Sequence, residues 1–304
     1  MTAARAGSAT ELTREEFVSV RDIITGFCGI RLSDDYHARL QRVVSLRIRK
    51  CGVEAVSEYL RILAGSLQET GEVLRLVEEV ANTETYFFRE EFQLDALSEE
   101  ILPELVAQRE SRRRLTLWSA GCSSGEEPFT LAMLLQLTPL WSRQLHRWEI
   151  RVLGTDINRR MIRKAREGLY PASSFKGLEE DQRRSIQGRF FRSKGDLFSV
   201  DDDVRERVSF LHLNLLDRDG AGLFGEMDVI LCRNVLMYFP VDVRLRVLQG
   251  FYRKLAVGGY LLLGHSENLL GMDTPFEVLR VAEALVYRKR ARHRGPLRGD
   301  DWGL

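Results

Sequence analysis

The stretch Leu115–Thr130, L-T-L-W-S-A-G-C-S-S-G-E-E-P-F-T, decides the fold of this chain. Its first six residues favour a buried strand, a loop bounded by Gly121 and Gly125 follows, and two glutamates and a proline begin a helix. A strand that leads through a glycine loop into a helix lets backbone N–H groups approach a ligand closely. Acidic side chains stand where a phosphate would otherwise sit, so this stretch favours a ligand that carries positive charge.

Strands and helices alternate after this stretch. The apolar strand candidates are Leu115–Ala120, Glu149–Thr155, Val208–Leu213, Met227–Leu231 and Gly259–Leu263. Helical patterns fall between them, for example over Arg160–Glu167 and Val241–Leu255. Nearly continuous apolar strands that alternate with amphipathic helices predict an α/β fold with a parallel, doubly wound sheet. The run Phe276–Arg288 is expected to close this sheet antiparallel, and Phe190–Val200 reads as a short hairpin.

The N-terminal part of the chain has a helical pattern instead. Thr13-Arg14-Glu15-Glu16 reads as a capping box, and four apolar-periodic runs follow it up to about Asn82. The sequence therefore predicts the following organisation: a disordered tail over 1–12, an all-helical domain over 13–82, a connecting segment and helix over 83–114, the α/β domain over 115–289 with a β-hairpin insertion at 171–207, and a disordered basic tail over 290–304.

Composition excludes several classes of protein. The 304 residues carry 45 basic and 44 acidic side chains, so a net charge of +1 gives no global case for binding nucleic acid. The four cysteines are far apart and form no C-x-x-C, which indicates reduced thiols and no zinc site. No apolar run approaches 18 residues and no leader pattern begins the chain, so a cytoplasmic protein without a membrane span is expected.

Polar or glycine-bearing segments follow all five predicted strands. In a doubly wound sheet, a ligand lies beyond the carboxyl ends of the strands. The segments are 121–127, 156–158, 214–216, 232–238 and 264–268. Polar or glycine-bearing segments after all five strands are more than chance would give, and together they predict one ligand site.

Asp156 follows the second strand, where dinucleotide-binding folds place an acidic side chain on the ribose hydroxyls. The alternative is that Asp156 caps the helix near Arg160. The first loop is not G-x-G-x-x-G, which disfavours a nicotinamide or flavin dinucleotide. Without a pyrophosphate, Glu126 and Glu127 can face a ligand ammonium, although one of the two could serve only the helix N-terminus. A ribose, an adenine and an amino acid together describe S-adenosylmethionine (SAM).

Six motifs in order then show a family resemblance. They are N-T-E-T-Y-F-F-R-E, W-S-A-G-C-S-S-G-E-E-P-F, G-T-D-I-N, H-L-N-L-L, C-R-N-V-L-M-Y-F and G-H-S-E-N-L. Over roughly residues 17–288 the chain resembles the CheR-type chemoreceptor glutamate methyltransferases. The resemblance implies a Rossmann-like class I methyltransferase domain behind an all-α domain. It also implies transfer of the SAM methyl group to receptor glutamates, which yields a glutamate methyl ester and S-adenosylhomocysteine.

The resemblance also assigns roles by motif. Glu127 would bind the methionine ammonium, Asp156 the ribose, and Asn214 and Leu215 the adenine. The implied cofactor-binding set is Thr83, Thr85, Arg89, Glu127, Asp156, Asn214, Leu215, Arg233 and Asn234. Arg89 and Tyr238 would lie near the transferred methyl as catalytic residues. One departure is that Thr83 takes the place of an asparagine found in other members, with Asn82 before it.

The expected chemistry needs no general base. A glutamate side chain has an unperturbed pKa of about 4.3, so at neutral pH it is already a nucleophilic carboxylate. We therefore expect a structural role for His265 rather than a catalytic one. Cys122 and Cys232 are expected to be small side chains in tight turns, and Trp118 is expected in the core.

The receptor is expected to be selected outside the cofactor loop. Arg39, Arg42 and Arg47 lie on the basic helical run Asp35–Lys50, and an acidic receptor helix would be attracted to them, although the run could also be only a solvated face. In some members the hairpin captures a C-terminal receptor peptide by adding a strand, and this point stays open here. A monomer that binds neither nucleic acid nor membrane is expected.

Two alternatives remain at this stage. The first is a nucleic-acid or small-molecule methyltransferase on the same fold, although the chain has C-R-N-V where amino-methylating DNA enzymes carry N-P-P-Y or D-P-P-Y. The second is a catalytically inactive cofactor sensor or scaffold that binds receptors. The presence of Arg89, Asp156 and Tyr238 counts against the second alternative.

Overall fold

The computed structural model describes residues 11–66, 71–217 and 224–290. By its contacts the chain divides into two units: Met1–Asn82 with Tyr238–Pro240, and Thr83–Met237 with Val241–Leu304. The tails expected over 1–12 and 290–304 lie outside the described residues, apart from Glu11, Leu12 and Arg290. Of these, Leu12 is buried.

The first unit is helical. Its helices are α1 (Arg14–Cys28), α2 (His37–Cys51), α3 (Val56–Ser66) and α4 (Glu72–Val80). The predicted capping box is confirmed at the start of α1, because Thr13 Oγ1 accepts from the Glu16 N–H and Glu16 Oε2 accepts from the Thr13 N–H. Helix α1 ends at Gly29, whose φ of 81° suits a residue without a Cβ.

A buried ion pair lies inside this helical unit. Arg47 of α2 donates from Nε and Nη2 to the two oxygens of Glu72 at 2.8 and 2.6 Å, and Tyr59 Oη donates to Glu72 at 2.9 Å. Only 6% of Arg47 and 5% of Glu72 are exposed. Burial alone would raise the pKa of Glu72, but the hydrogen bonds from Arg47 and Tyr59 lower it below its ordinary value.

The structure contradicts the docking prediction for Arg47. Its guanidinium is held inside the unit by Glu72, so it is not available to a receptor. Arg39 and Arg42, by contrast, are exposed on α2. The linear sequence shows the basic character of this helix but not the carboxylate 25 residues further along the chain that turns one arginine inward.

The second unit is an α/β fold built on a seven-stranded sheet in the order β6-β2-β1-β7-β8-β10-β9. These strands are β1 (Arg114–Ala120), β2 (Glu149–Asp156), β6 (Val208–His212), β7 (Met227–Cys232), β8 (Leu255–Leu263), β9 (Glu277–Val281) and β10 (Ala284–Arg288). The first five pair in parallel, and β10 pairs antiparallel with β8 and β9. The predicted fold class is confirmed: the unit is an α/β fold with a mostly parallel, Rossmann-like sheet.

Helices cover this sheet and connect its strands. They are α5 (Glu91–Ala96), α6 (Leu102–Arg109), α7 (Glu126–Leu137), α8 (Pro139–Arg143), α9 (Arg159–Glu167), α10 (Glu180–Phe190), α11 (Asp202–Arg205) and α12 (Val241–Lys254). The predicted helix Glu91–Arg109 is interrupted by a π-helical segment at Leu97–Ile101. Helix α7 is buried on almost every side, as expected of a helix that continues directly from the ligand loop.

A second sheet, in the order β3-β5-β4, begins at Leu169, two residues before the predicted insertion at 171–207. Its strands are β3 (Leu169–Pro171), β4 (Phe191–Lys194) and β5 (Leu197–Val200). The predicted hairpin corresponds to β4 and β5, which turn at Gly195. Phe87 packs against this insertion, with ring centroids 4.9 Å from Phe175 and 5.1 Å from Phe191. The aromatic segment before α5 is therefore anchored by the core of the insertion.

Two strands differ from their predicted extents. Strand β8 begins at Leu255 rather than Gly259, because the chain passes from α12 into the sheet without a loop. The run Phe276–Arg288 forms two strands that reverse at Ala282, whose φ is 49°. The apolar pattern predicted where these strands lie in the sequence. It did not predict the start of β8 or the reversal between β9 and β10.

Candidate active site

The carboxyl ends of β1 and β7 meet where the strand order reverses, with β2 and β6 on one side and β8 on the other. Such a switch point is where α/β sheets bind ligands. The loop after β1 turns sharply there, with positive φ at Gly121 (82°), Ser123 (48°) and Gly125 (95°). A Cβ on Gly121 would lie 2.5 Å from Val235 Cγ2, so only glycine fits at this position.

Asp156 ends β2 and closes over this loop. Its Oδ2 accepts from the Ser123 N–H at 2.8 Å, and its Oδ1 accepts from the Asn158 N–H at 2.7 Å. Burial raises the pKa of the Asp156 carboxyl, and these N–H bonds oppose the rise. The cap of α9 is Asn158, whose Oδ1 accepts from the Arg160 and Met161 N–H groups, so the alternative role of Asp156 as helix cap is wrong.

The two glutamates that begin α7 have different surroundings. Glu126 is 3% exposed and accepts from Ser124 Oγ and Ser174 Oγ at 2.8 and 3.1 Å, and burial raises the pKa of its carboxyl. Glu127 lies on the other side of the helix start, where Ser119 Oγ donates to it at 2.6 Å. Glu126 is thus enclosed between the loop and the insertion, and Glu127 faces the strand ends.

Arg233 joins Glu127 to the aromatic segment. Its Nε donates to Glu127 Oε2 at 2.6 Å, and its Nη1 donates to the Arg89 carbonyl at 2.7 Å. Glu90 Oε2 lies 3.8 Å from the same Nη1. The side chain of Arg233 is only 2% exposed, so this charged link is shielded from water. The structure therefore brings three of the predicted site residues, Glu127, Arg233 and Arg89, into one connected group.

The segment Thr83–Arg89 forms one wall of the site. The Thr83 carbonyl accepts from Ser123 Oγ at 2.9 Å, and the Phe88 N–H donates to Thr130 Oγ1 at 3.1 Å. Phe88 has a φ of 58°, which is unusual for a bulky residue and turns the chain before Arg89. The Arg89 guanidinium donates to the Glu84 carbonyl at 3.1 Å.

Asn234 follows Arg233 in a left-handed conformation with a φ of 59°. Its backbone N–H donates to Glu267 Oε2 at 2.7 Å, and its side-chain Nδ2 donates to Glu90 Oε1 at 3.2 Å. Asparagine is one of the few non-glycine residues that adopt this conformation readily, so the turn suits the residue found there. Sequence reasoning missed Glu90 and Glu267, although both stand in quoted motifs: Glu90 directly after Arg89, and Glu267 in G-H-S-E-N-L.

Asn214 and Leu215 lie after β6, on the Asp156 side of the site. Asn214 Oδ1 accepts from the Leu216 N–H at 3.1 Å, which forms a tight turn, and the Leu213 N–H donates to the Asp156 carbonyl at 3.0 Å. Leu215 also lines a cavity of ≈ 300 Å³ that is bordered by residues of α12. This backbone hydrogen bond between Leu213 and Asp156 holds the loop after β6 next to the end of β2.

Tyr238 belongs to the helical unit, although the residues on both sides of Tyr238–Pro240 belong to the α/β unit. Its hydroxyl accepts from Asn82 Nδ2 at 2.7 Å, and its carbonyl accepts from the Arg31 N–H at 2.8 Å. The tyrosine is therefore fixed at both its backbone and its side chain. The predicted cofactor-binding residue Thr85 belongs to the α/β unit instead, where it is half-buried in the segment Thr83–Arg89.

Known proteins resemble this chain over almost its whole length. A family model described as CheR methyltransferase, SAM binding domain, matches residues 83–285. The chain belongs to the CheR methyltransferase family. The α/β unit is accordingly the SAM-binding domain of a methyltransferase.

Relatives of the family extend this match into the helical unit. The chemotaxis protein methyltransferase of Vibrio parahaemolyticus serotype O3:K6 is 32% identical over 284 residues, covering 92% of this chain and 99% of the relative. Chemotaxis protein methyltransferase 2 of Vibrio cholerae serotype O1 is 32% identical and covers 91% and 94%. Chemotaxis protein methyltransferase 1 of Pseudomonas aeruginosa is 30% identical and covers 90% and 98%.

The residues of this CheR family site fit SAM. The side-chain oxygen Oδ1 of Asn234 is buried and has no hydrogen-bond partner among the described residues, so it can accept from a ligand donor. Two carboxylates suited to an ammonium and a ribose are also present: Glu127 at the start of α7 and Asp156 at the end of β2. Within 11–66, 71–217 and 224–290, no cluster of His, Cys, Asp and Glu could hold a metal ion, and no helix could cross a membrane.

The two buried thiols near this site, Cys122 and Cys232, are expected to be unreactive. Burial raises the pKa of Cys122 and of Cys232 well above the ordinary value, and nearby carboxylates add to the rise. A thiol in such surroundings stays protonated at neutral pH and is a poor nucleophile. Trp118 is 2% exposed, in keeping with its expected place in the core.

Proposed function

We propose that this CheR family member transfers the methyl group of SAM to glutamate side chains of methyl-accepting chemoreceptors. The products are a glutamate methyl ester and S-adenosylhomocysteine. The observation that carries the proposal is the link from Glu127 through Arg233 to the backbone of Arg89, at 2.6 and 2.7 Å. It couples the carboxylate suited to the donor's ammonium to the segment that carries the candidate substrate-orienting arginine.

The donor would be held by residues from several strand ends. Glu127 would bind the ammonium of the methionine part and Asp156 the ribose, while Asn214 and Leu215 would contact the adenine. Thr83, Thr85, Arg233 and Asn234 would line the rest of the cofactor site. When bound, SAM supplies a methyl group on a positively charged sulfur, and a carboxylate oxygen can attack the carbon of this methyl group directly.

The acceptor needs orientation rather than activation. The substrate carboxylate is ionised at neutral pH, so one of its oxygens can form the new bond to carbon without giving up a proton. Arg89 would orient it through N–H donors, of which its guanidinium has five, while Glu84 engages one. A loose hold is required, because the ester product is neutral and tight binding of the charged ground state would slow transfer.

Tyr238 would stand beside the reacting groups as a second catalytic residue. Its hydroxyl is already an acceptor for Asn82, which leaves its own O–H free to be donated. Such a donor would help to hold the substrate carboxylate in the attacking orientation.

The receptor would be chosen by surfaces away from the donor. Arg39 and Arg42 are exposed on α2 and suit an acidic receptor helix. Strand β4 is an edge of the three-stranded sheet, so a receptor's C-terminal peptide could pair with it as a fourth strand.

A combined binding and transfer experiment separates this function from its alternatives. S-adenosylhomocysteine is titrated calorimetrically, and methyl-labelled SAM is then offered with a chemoreceptor cytoplasmic fragment, with DNA, or alone. We expect binding, and label in the receptor fragment only. Binding without transfer to any acceptor would favour an inactive sensor, and label in DNA would favour the nucleic-acid alternative.

A further inference from the structure

Two carboxylates hold Asn234 from opposite parts of the residue. Glu267 accepts its backbone N–H at 2.7 Å and also accepts the N–H groups of Met237 and Gly264 at 3.0 and 2.9 Å. One side chain thereby joins the loop after β7 to the loop after β8. Glu90 accepts from the side-chain Nδ2 of Asn234 at 3.2 Å.

The contact with Glu90 decides which way the Asn234 amide faces. An ionised carboxylate can only accept hydrogen bonds, so the NH₂ end of the amide must point to Glu90 and the oxygen must point away. That oxygen, Oδ1, is the one that is buried without a partner among the described residues. Glu90 also accepts the His265 N–H at 3.2 Å, which fixes its carboxylate relative to the end of β8.

We propose that Glu90 is a positioning residue that makes Asn234 Oδ1 a hydrogen-bond acceptor for a donor group of the cofactor. The inference rests on the proposed SAM site and assigns no catalytic step to Glu90. The classes of donor that this oxygen can serve are the ammonium, the adenine amine and the ribose hydroxyls. Glu267 supports the same function through the backbone, because it stabilises the left-handed turn that aims the Asn234 side chain.

The substitution Glu90→Gln tests this by removing one acceptor at nearly constant shape. The new amide has a single acceptor oxygen for the groups that the two oxygens of Glu90 now contact, which are Asn234 Nδ2 and the backbone N–H and Nδ1 of His265. It also lacks the negative charge that lies 3.8 Å from Arg233 Nη1. The smallest rearrangement that satisfies these partners is a 180° flip of the Asn234 side-chain amide. After this flip, the NH₂ group of Asn234 faces the cofactor in place of its oxygen. We expect the Kd for S-adenosylhomocysteine to rise about tenfold or more, because a donor then faces a donor.

A second substitution reverses the defect. In Glu90→Gln/Asn234→Asp, the glutamine NH₂ donates to one aspartate oxygen and the glutamine oxygen still accepts the His265 N–H. The other aspartate oxygen again faces the cofactor as an acceptor. We expect the double variant to recover to within about threefold of the wild-type Kd, whereas Asn234→Asp alone, with two carboxylates in contact, binds more weakly.

The matched control is Glu91→Gln, which changes the neighbouring exposed carboxylate and should leave the Kd and the melting temperature unchanged. Calorimetric titration of the full chain with S-adenosylhomocysteine gives the Kd. Recovery of the Kd in the double variant supports the proposal even if Glu90→Gln lowers the melting temperature. A defect caused by lost packing would not be repaired when the hydrogen-bond donor and acceptor are exchanged between positions 90 and 234. Wild-type affinity in Glu90→Gln, or additive losses in the double variant, would overturn it.

The same titration separates this inference from the function on which it rests. If the wild type binds S-adenosylhomocysteine and the Glu90 variants behave like it, the cofactor site stands and the role of Glu90 is wrong. If the wild type itself does not bind, the proposed cofactor site is wrong, and the role of Glu90 is wrong with it.

Discussion

The carboxylates of this chain differ mainly in the partners that surround them. Glu126 and Glu127 are adjacent in sequence, yet one is enclosed by two serines and the other meets Arg233. Glu72 is enclosed as well, but by Arg47 and Tyr59. Local sequence shows that a carboxylate is present, and only the folded chain shows whether it is used for stability or is left for a ligand.

The Arg47–Glu72 pair should stabilise the helical unit. Arg47→Met leaves the buried carboxylate of Glu72 with only the exposed Arg75, whose Nη1 lies 3.7 Å away. Removal of one partner from a buried pair typically costs about 3–5 kcal/mol. Arg42→Met, on the same helix but exposed, should change the free energy of unfolding by less than about 0.5 kcal/mol. Urea denaturation followed by far-ultraviolet circular dichroism measures both, and equal small effects would contradict a structural role for the pair.

The same pair predicts a dependence on pH. Because the pKa of Glu72 is lowered by folding, its contribution is fully present above the unfolded-state value of about 4.5 and is lost as the pH falls through the lower folded-state value. Glu72→Gln should therefore weaken the acid dependence of the melting temperature below that pH. An unchanged acid dependence in this variant would assign the effect to other groups.

The thiols near the donor should take no part in transfer. Cys122 is buried with a raised pKa, so Cys122→Ala should retain most of the wild-type kcat. Iodoacetamide should modify the half-exposed Cys51 before Cys122 or Cys232, as read by peptide mass spectrometry. Loss of transfer in Cys122→Ala with an unchanged melting temperature would contradict the direct attack by a carboxylate.

Arg89 should matter for turnover. Arg89→Ala removes the proposed orienting group, and loss of alignment can lower the rate about a hundredfold. Arg89→Lys keeps the charge without the planar fork and should be intermediate. Arg163→Ala, an exposed arginine of α9, is the control. Wild-type kcat/KM in Arg89→Ala, measured by methyl transfer to a receptor fragment, would remove Arg89 from the mechanism.

Helix α2 is the structural segment whose prediction changed most. With Arg47 turned inward, Arg39 and Arg42 remain as its proposed contacts with the receptor. Reversing both to Glu should raise the KM for a receptor fragment about tenfold, leave the affinity for S-adenosylhomocysteine unchanged, and weaken the dependence of KM on salt. Arg61→Glu on α3 is a matched exposed control. Equal effects in all variants would indicate only nonspecific attraction.

The sequence predicted the strands and the ligand loop well, because their signals are local. Apolar runs located β1, β2, β6 and β7 to within a residue or two, and the glycine loop lies as expected at the switch point of the sheet. The contacts of Glu90 and Glu267 were not predictable, since Asn234, which both glutamates contact, lies 144 and 33 residues away from them in the chain. Long-range pairing also decided the orientation of Arg47, which no helical pattern encodes.

At the scale of the whole molecule, the two units have different proposed roles. The α/β unit carries the proposed donor site at its switch point, and the helical unit carries the proposed receptor contacts on α2. The chain returns to the helical unit at Tyr238–Pro240, directly after the loop that holds Arg233 and Asn234.

The most direct test of the account is the chemical form of the transferred methyl group. The full chain is incubated with SAM and a chemoreceptor cytoplasmic fragment, and the fragment is examined by peptide mass spectrometry before and after mild alkali. We expect methyl esters on glutamate side chains that alkali removes as methanol, and no methylation where those glutamates are replaced by alanine. Methylation that survives alkali, or none at all in a protein that binds S-adenosylhomocysteine, would contradict it.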